Sequence, residues 1–264
     1  MSKIKRIFFS AMCLMAVCLF VMTAAALPQT GMDWYFKPTN DHTRPQAAAG
    51  SGYLAKYGAF YLGEDLGKDL DKAEEKVIYL TFDGGFDKGT TAPILDALRD
   101  KNVKAAFFLT GNVIDSCPEL VKRMADEGHL VCNHTMRHKD MSKITDFEEF
   151  KKELSGVEDK YKALTGMDMP KFYRPPMGRF SEENLKFAQD MGYRTVFWSF
   201  AYVDWYEDKQ PSEAEAMEKI LSRTHNGAVM LLHSTSATNA KIMPRLIDKW
   251  ISEGYKIEPL TKIK

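Results

Sequence analysis

Apolar residues along this chain gather in seven short runs that have the pattern of buried strands. The clearest is 77–82, with the sequence VIYLTF, which ends at Asp83 and two glycines. A continuous apolar run bounded by glycine predicts a strand buried on both faces, as strands are in parallel sheets. The predicted strands are 77–82, 104–110, 130–133, 172–174, 193–200, 228–233 and 255–257.

The segments between these strands have helical spacing and helix-end signals. Pro93 lies in a first turn, Ser181 can cap a helix, and Gly128 can end one. The predicted helices are 91–101, 118–127, 146–164, 181–191, 212–224 and 239–252. Alternating strands and helices are typical of a parallel sheet wound with helices. Seven units within 264 residues favour a closed or nearly closed β/α barrel over an open sheet.

The first 75 residues lack this alternation and divide into two parts. In residues 1–26, Lys3, Lys5 and Arg6 precede an apolar run that ends in small residues, which predicts a secretory signal cleaved near Ala26. The run is also long enough to be an uncleaved membrane anchor. Residues 27–75 carry aromatic groups at 34–36 and 57–62, so we expect an N-terminal extension that packs on the domain formed by 76–264.

Charge and cysteine content narrow the possible classes of function. The chain has 36 basic and 36 acidic residues, and without residues 1–26 it has 33 basic residues against 36 acidic ones, a net charge of −3. Neither balance predicts binding to nucleic acid. No glycine-rich phosphate loop opens a helix, which argues against a nucleotide cofactor. Cys117 and Cys132 remain after the signal; in an exported protein they either pair or stay as free, packed thiols.

Polar side chains follow five of the predicted strands at the point where each strand ends. They are Asp83, the pair His134 and His138, Arg174, Asp204 with Trp205, and His233. Because the carboxyl ends of parallel strands lie along one edge of a sheet, we expect these residues to share one rim. Asp and His are the residues that acid–base hydrolysis uses. Taken alone, Asp83 could instead cap the turn that follows it.

The histidines of this rim allow two interpretations each. His134 and His138 are four residues apart, so on a helical turn both imidazoles could hold one divalent cation, although solvent-facing pairs also have this spacing. His233 ends an apolar run and is either a core histidine or a catalytic one. Asp204 could fix the tautomer of His233 and raise its pKa.

Two further rim residues also have a structural alternative. Arg174 precedes two prolines, and it could either clamp a loop or pair with Asp83 and keep that carboxyl ionised. Trp205 could be a core residue, but an aromatic ring beside a carboxylate also suits stacking against a sugar face.

Taken in chain order, these five blocks resemble the polysaccharide deacetylases, also called the NodB-homology or carbohydrate esterase family 4 domain, from about Lys76 to Ile263. The resemblance implies a distorted (β/α)7 barrel with the N-terminal extension packed on it, and a metal-dependent deacetylase. Within the family, residues 58–63 and 197–205 are similar to the delta-lactam-biosynthetic, muramic-acid-specific branch of spore-forming bacteria.

The resemblance implies a role for each residue of the first half of the rim. Asp83 would be the general base, and Arg174 would orient it. His134 and His138 would be metal ligands, with zinc as the expected metal.

It likewise implies roles for the second half. His233 would be the general acid, tuned by Asp204. The backbone N–H of Met177 would help to hold the oxyanion. Trp205 and Leu231 would line the pocket for the sugar and the acetyl methyl group.

The chain departs from the family pattern at three places. Gly84 stands where most members have the Asp that is the third metal ligand, so the metal is expected to bind weakly, with water filling the gap. Ala201 replaces the first Asp of a D-x-x-D-W block. Where the muramic branch often has Arg, this chain has Met177, and Arg179 follows two residues on. We expect Arg179 to bind the lactyl carboxylate of muramic acid; the alternative is an exposed arginine before the next helix.

The function implied is hydrolysis of the N-acetyl group of N-acetylmuramic acid in peptidoglycan, leading to the muramic-delta-lactam of spore cortex. The alternatives are an N-acetylglucosamine deacetylase acting on peptidoglycan or chitin-type chains, and a metal-poor sugar-binding protein without activity. The expected partner is the peptidoglycan glycan strand, with a membrane as a further partner only if the signal stays uncleaved. We expect a monomer in an extracytoplasmic location, in the cell wall or forespore envelope of a Gram-positive bacterium.

Overall fold

A computed structural model of the protein describes residues 31–48, 51–63 and 76–263. The predicted signal and part of the predicted extension lie outside these residues. Within the described ranges, no helix combines the length and the apolar character that crossing a membrane requires.

Strands and helices alternate along the domain as the apolar pattern predicts. The strands are β1 (Met32–Asp33), β2 (Phe36–Lys37), β3 (Gln46–Ala47), β4 (Lys76–Gly84), β5 (Ala106–Leu109), β6 (Leu130–Asn133), β7 (Phe172–Tyr173), β8 (Arg179–Phe180), β9 (Arg194–Thr195), β10 (Ala228–His233) and β11 (Tyr255–Ile257). The α-helices are α1 (Thr91–Asp100), α2 (Gly111–Ser116), α3 (Pro118–Asp126), α4 (Phe147–Thr165), α5 (Glu182–Asp190), α6 (Glu213–Arg223) and α7 (Ala237–Ser252).

Seven strands form one parallel sheet, in the order β10-β4-β5-β6-β7-β9, with β11 paired to the first residues of β4. β4 pairs with three strands, β10, β5 and β11, and all of its residues after Lys76 are buried. Its register places Asp83 opposite His233 on β10 and opposite Phe108 on β5. The parallel register therefore brings the ends of these strands to the same edge.

The sheet curls, and the chain beyond β9 returns to β10. A parallel bridge joins Phe200 to Met230. At the opposite end of these strands, Phe60 bridges Val196 and Leu62 bridges Ala228, so residues of the extension fill the space between β9 and β10. The prediction of a distorted β/α barrel with an extension packed on it is confirmed.

Side chains of β4 alternate between two apolar clusters. Val77 and Tyr79 belong to a cluster inside the curl, whereas Ile78, Leu80 and Phe82 pack with the helices outside it. This alternation follows from the period of two along a strand. Asp83 therefore continues the inner face of β4, and this orientation aims its carboxylate into the site.

The structure differs from the local predictions in two places. The predicted strand 193–200 is regular only at Arg194–Thr195, because the residues after it pair partly with the extension at Phe60 and partly with β10. Helix α2 was not predicted, since its six residues are too few to show a helical period. Of the two alternatives left open for the cysteines, the structure has the second, since Cys117 and Cys132 are both free thiols.

Candidate active site

Four strand ends supply the inner wall of the candidate site. Asp83 lies at the end of β4, His134 follows β6, Arg174 follows β7, and His233 ends β10. All four side chains belong to the same edge of the parallel sheet, as predicted.

Asp83 and Arg174 form a buried ion pair. Arg174 Nη1 donates to Asp83 Oδ1 at 2.7 Å, and Arg174 is 0% exposed against 7% for Asp83. Burial by itself would raise the pKa of Asp83, but the charges of Arg174 and of the nearby histidines outweigh it and hold that pKa below its ordinary value. The carboxylate is thus ionised, with Oδ1 occupied and Oδ2 available to a ligand.

The guanidinium of Arg174 is held on all sides by protein. Nη1 also donates to Thr81 Oγ1 at 3.0 Å, and Nε donates to Val196 O at 3.0 Å. Its carbon lies 4.1 Å from the ring centroid of Phe108. Because these contacts leave the guanidinium little freedom, the position of Asp83 Oδ1 is fixed as well.

His134 is oriented by the backbone of the same arginine. His134 Nδ1 lies 2.8 Å from Arg174 O, and since a carbonyl oxygen only accepts, Nδ1 carries the proton and Nε2 has the lone pair. Burial lowers the pKa of His134 to about 4, so the ring is neutral near pH 7. Its Nε2 lies 3.6 Å from Asp83 Oδ2.

His138 joins His134 through an irregular loop. The two ring centroids are 4.9 Å apart, so the imidazoles are in contact, as the prediction that both hold one cation requires. The reason assumed from the spacing was wrong, because residues 134–138 do not form a helical turn. Thr135 has φ 70° and His138 has φ 54°, so two left-handed residues turn the chain instead. Asn133 Oδ1 accepts from Thr135 N–H, and Thr135 Oγ1 accepts from His138 N–H, both at 3.0 Å.

The side chains of Asp83, His134 and His138 are of the types that bind divalent cations, but they are few. A neutral imidazole lone pair on His134 faces a carboxylate oxygen of Asp83, and two such acceptors repel each other unless a proton or cation lies near both. Burial also lowers the pKa of His138, which leaves a second imidazole able to coordinate. Among residues 31–48, 51–63 and 76–263, however, no group of three or more His, Cys, Asp or Glu side chains is arranged to hold a metal ion.

Gly84 contributes no ligand, and the space around it is tight. A Cβ built on Gly84 would lie 2.9 Å from Leu109 Cδ2 and 3.2 Å from Ser234 Oγ. A side chain at position 84 therefore requires the end of Leu109 to move.

Asp204 and His233 form the second ionisable pair of the site. His233 Nδ1 lies 2.7 Å from Asp204 Oδ1, and the backbone N–H of His233 donates to Asp204 Oδ2 at 2.9 Å. Burial would lower the pKa of His233, but the hydrogen bond and charge of Asp204 outweigh burial and raise it. The pairing predicted for these residues is therefore present, and it leaves His233 Nε2 free to exchange a proton.

Two predicted pocket residues lie beside this pair. The ring of Trp205 is 5.4 Å from that of His233, centroid to centroid, and 43% of Trp205 is exposed. Leu231 is buried on β10, two residues before His233 and opposite Thr81. Trp205 can thus meet a ligand from solvent, whereas Leu231 lies deeper, on the inner face of the sheet.

Met177 and Arg179 follow Arg174 in a tight turn. Met177 has φ 58°, and the hydrogen bonds of this turn run from Gly178 N–H to Pro175 O and from Arg179 N–H to Pro176 O, so neither uses Met177 N–H. Arg179 Nε donates to Asp33 at 2.9 Å, and Nη1 donates to Asp140 at 3.2 Å. The structure therefore places Arg179 between two carboxylates and not among the contacts of the Asp83 or His233 pairs.

The sequence reasoning missed Asn239. This residue lies in the first turn of α7, is 0% exposed, and donates to Asp204 Oδ2 at 2.6 Å. The sequence offers only a weak signal for this residue. Ser236 can cap a helix that starts just after β10, and position 239 then lies in the first turn of that helix, near the end of the strand.

Taken together, a carboxylate fixed by a buried arginine, a histidine with an acidic partner and two neighbouring imidazoles lie on one rim, and these are the groups that acid–base hydrolysis uses. The sequence profile of the polysaccharide deacetylase family matches residues 71–196. The chain is 37% identical over 238 residues to peptidoglycan-N-acetylmuramic acid deacetylase PdaA of Bacillus subtilis, covering 90% of this chain and 87% of that protein.

A solved structure of Bacillus subtilis PdaA, described as a family 4 carbohydrate esterase, superposes with a TM-score of 0.83 at 36% identity, covering 90% of this chain and 98% of that one. A peptidoglycan-N-acetylglucosamine deacetylase of Bacillus cereus is 37% identical over 201 residues, covering 76% of this chain and 68% of that protein. The chain belongs to the polysaccharide deacetylase family, and it is a hydrolase of N-acetyl amide bonds. The family resemblance seen in the sequence is confirmed.

Proposed function

We propose that this protein removes the acetyl group from N-acetylmuramic acid in peptidoglycan, and that the product leads to muramic-delta-lactam in spore cortex. The observation that carries the proposal is the pairing of Asp83 with Arg174 and of Asp204 with His233 on one rim, in a chain similar along 90% of its length to a muramic acid deacetylase.

Asp83 is the general base. Arg174 occupies Oδ1, so Oδ2 takes the proton of the attacking water. The water oxygen bonds to the acetamide carbon, and the backbone N–H of Met177 donates to the oxygen that becomes negative. Because the base is ionised and held by a buried arginine, it is oriented before the substrate arrives.

His233 is the general acid. The C–N bond breaks with its electron pair on nitrogen, and the protonated Nε2 of His233 supplies the proton that the leaving amine needs. Asp204 holds the opposite side of the ring and favours the charged imidazole. Trp205 would stack on the sugar, and Leu231 would contact the acetyl methyl group. Acetate and a free amine are the products.

His134 and His138 would hold a divalent cation, with zinc as the expected metal. When bound there, it would polarise the acetamide carbonyl and acidify water. With Gly84 in place of a third ligand, we expect weak and exchangeable binding. Arg174 fixes the tautomer of His134 through its carbonyl oxygen, which leaves Nε2 for coordination.

The substrate places the protein outside the cytoplasm, which agrees with the signal expected from residues 1–26. The partner would be the glycan strand, and a monomer suffices, since one chain supplies both ionisable pairs. Lactam formation joins the freed amine to the lactyl carboxylate with release of water, and we assign no residue to that step.

A second candidate is deacetylation of N-acetylglucosamine, which is supported by the Bacillus cereus relative. The test is mass spectrometry of peptide-free glycan strands and of intact peptidoglycan after incubation with zinc-loaded protein, with Asp83→Asn as the matched inactive control. Acetyl loss from muramic acid alone is expected. Loss from glucosamine alone would establish the second candidate, and no loss from either sugar would indicate a sugar-binding protein without activity.

A further inference from the structure

Asp204 is held by more than the histidine it pairs with. Its carboxylate is 1% exposed, and three N–H groups donate to it. Two belong to His233, and the third is Asn239 Nδ2, at 2.6 Å from Oδ2. The same amide nitrogen lies 3.2 Å from His233 O. Asn239 therefore contacts both members of the pair from one side chain.

The backbone of Asn239 is fixed by the start of α7. Ser236 is the N-cap of this helix, and its Oγ accepts from Asn239 N–H at 3.1 Å. The hydroxyl of Ser236 in turn donates to Gln210 Oε1 at 2.6 Å, and Gln210 Nε2 donates to Asp204 O at 2.7 Å. The helix end and the loop that carries Asp204 are thus joined by a closed set of hydrogen bonds.

The orientation of the amide is set by Tyr202. Its hydroxyl donates to Asn239 Oδ1, so the amide must present its NH2 group, and not its oxygen, to Asp204. Burial and the nearby charge of Asp204 raise the pKa of Tyr202, so its hydroxyl keeps the proton that it donates. If the amide were turned the other way, Asn239 Oδ1 would face Asp204 Oδ2, and neither oxygen could donate a hydrogen bond to the other.

We infer that Asn239, oriented by Tyr202, is a positioning residue that holds Asp204 in line with His233 Nδ1 and keeps His233 Nε2 directed at the leaving amine. The part of this inference that concerns the leaving amine rests on the proposed function. The part that concerns the position of Asp204 does not. A neutral donor suits this place because it holds Asp204 Oδ2 and leaves the full negative charge of the carboxylate facing His233.

The first test is Asn239→Ala, measured without any substrate. The pKa of His233 is followed by NMR of its ring nitrogens. The titratable groups that interact with this ring are Asp204, Asp83, Arg174 and His138, and all four are kept in the variant. Since Asp204 Oδ2 keeps only a backbone donor, the carboxylate loses its alignment, and the pKa of His233 should fall back towards its ordinary value.

The matched control is Asn184→Ala. Asn184 is also a buried asparagine in the first turn of a helix, with its N–H accepted by the capping Ser181 and its Nδ2 donating to Ile144 O at 2.8 Å. Loss of Asn184 removes the same atoms without touching the site. It should leave the pKa of His233 and kcat unchanged, whatever it does to thermal stability.

The second test uses Asn239→Asp, which keeps the shape and replaces the amide by a carboxyl. Next to Asp204 the pKa of the introduced carboxyl should be raised, because two carboxylates in contact cannot both ionise easily. Below that pKa its O–H can replace the amide donor; above it, the two groups repel each other. The ratio of the variant's kcat to the wild-type kcat should therefore fall as pH rises, whereas the ratio for Asn239→Ala should be low throughout.

For Asn239→Ala we expect kcat to fall about 10- to 100-fold, as for other side chains that orient a reacting group, with little change in KM. Tyr202→Phe should shift the pKa of His233 in the same direction by less. A folded Asn239→Ala variant with an unshifted His233 would overturn the inference, as would a pH-independent ratio for Asn239→Asp. If no sugar is deacetylated by the wild type, the proposed function fails, while the substrate-free titration still decides the role of Asn239.

Discussion

Arg174→Met should destabilise the protein through the charge it leaves behind at Asp83. Methionine keeps most of the length of the side chain but removes the guanidinium. Asp83 then loses the partner at 2.7 Å and remains 7% exposed, so it is a nearly buried carboxylate without a cation. The backbone oxygen that orients His134 is retained, so the position of this imidazole is not directly altered.

The expected size follows from the partners that each residue keeps. Removing one member of a buried ion pair costs about 3–5 kcal/mol, because the other charge is left uncompensated. Asp83→Asn should cost less, about 1–3 kcal/mol, because Arg174 keeps its hydrogen bonds to Thr81 and Val196 and its contact with the ring of Phe108. In the double variant neither charge of the pair is present, so no buried charge is left without a partner. Its loss of unfolding free energy should therefore be smaller than the sum of the two single losses by about 1–3 kcal/mol.

The measurement is urea unfolding of wild type, both single variants and the double variant, with chelator present so that metal binding does not contribute. Arg194→Met is the matched control. Arg194 also lies over an aromatic ring, 4.3 Å from the centroid of Phe60, and has no carboxylate partner among the described residues. Its cost should add to that of Asp83→Asn. If the Arg174 and Asp83 costs were additive within about 0.5 kcal/mol, the ion pair would not be the reason Arg174 is there.

Four further outcomes are expected. Asp83→Asn should lower kcat by about 100- to 10,000-fold, the range for a general base, while the protein stays folded. Because His233 acts in its protonated form and its pKa is raised, activity should be lost as pH rises through that raised value; Asp204→Asn, measured by the pH profile of kcat, should move this limit to lower pH. Gly84→Asp should tighten zinc binding in calorimetry, even though the end of Leu109 must move to admit the side chain. If Arg179 leaves its ion pairs with Asp33 and Asp140 to bind the lactyl carboxylate, Arg179→Met should raise KM for glycans that contain muramic acid and leave any activity on glucosamine oligomers unchanged.

Each of these has a result that contradicts it. Activity within a few-fold of wild type would remove Asp83 from the mechanism, and an unchanged pH limit would separate Asp204 from His233. Equal zinc affinity with glycine or aspartate at 84 would mean that this position does not face the metal. Equal losses on both substrates would make Arg179 structural, a role that its ion pairs with Asp33 and Asp140 already support.

The strand ends were predictable because they depend on local pattern. A run of apolar residues places Asp83 at the end of a buried strand, and the same holds for His233; the alternation with helices then indicates that these strands are parallel. The loop after β6 was not predictable in this way. The spacing of His134 and His138 suggested a helical turn. Instead, left-handed backbone at Thr135 and His138 brings the two imidazoles together. Such backbone produces no repeating pattern of apolar residues by which the sequence could reveal it.

Contacts between distant segments were also beyond the sequence. Asn239 meets Tyr202 and Asp204 only because α7 starts where the end of β10 turns back, and Asn239 alone looks like an ordinary helix residue. Arg179 shows the reverse case. Its place in the chain suggested a free cation, but the pairing of β1 with β8 puts Asp33 opposite it.

Glycine at position 84 would weaken only the proposed metal binding and would leave the two ionisable pairs of the site unchanged. The base is held by Arg174, which does not depend on a metal, and the acid is held by Asp204 and α7. The two imidazoles keep lowered pKa values, so near pH 7 they can bind a cation without first releasing protons. If His134 and His138 hold zinc as proposed, activity should therefore respond to the concentration of free zinc, because both ionisable pairs are in place without the cation.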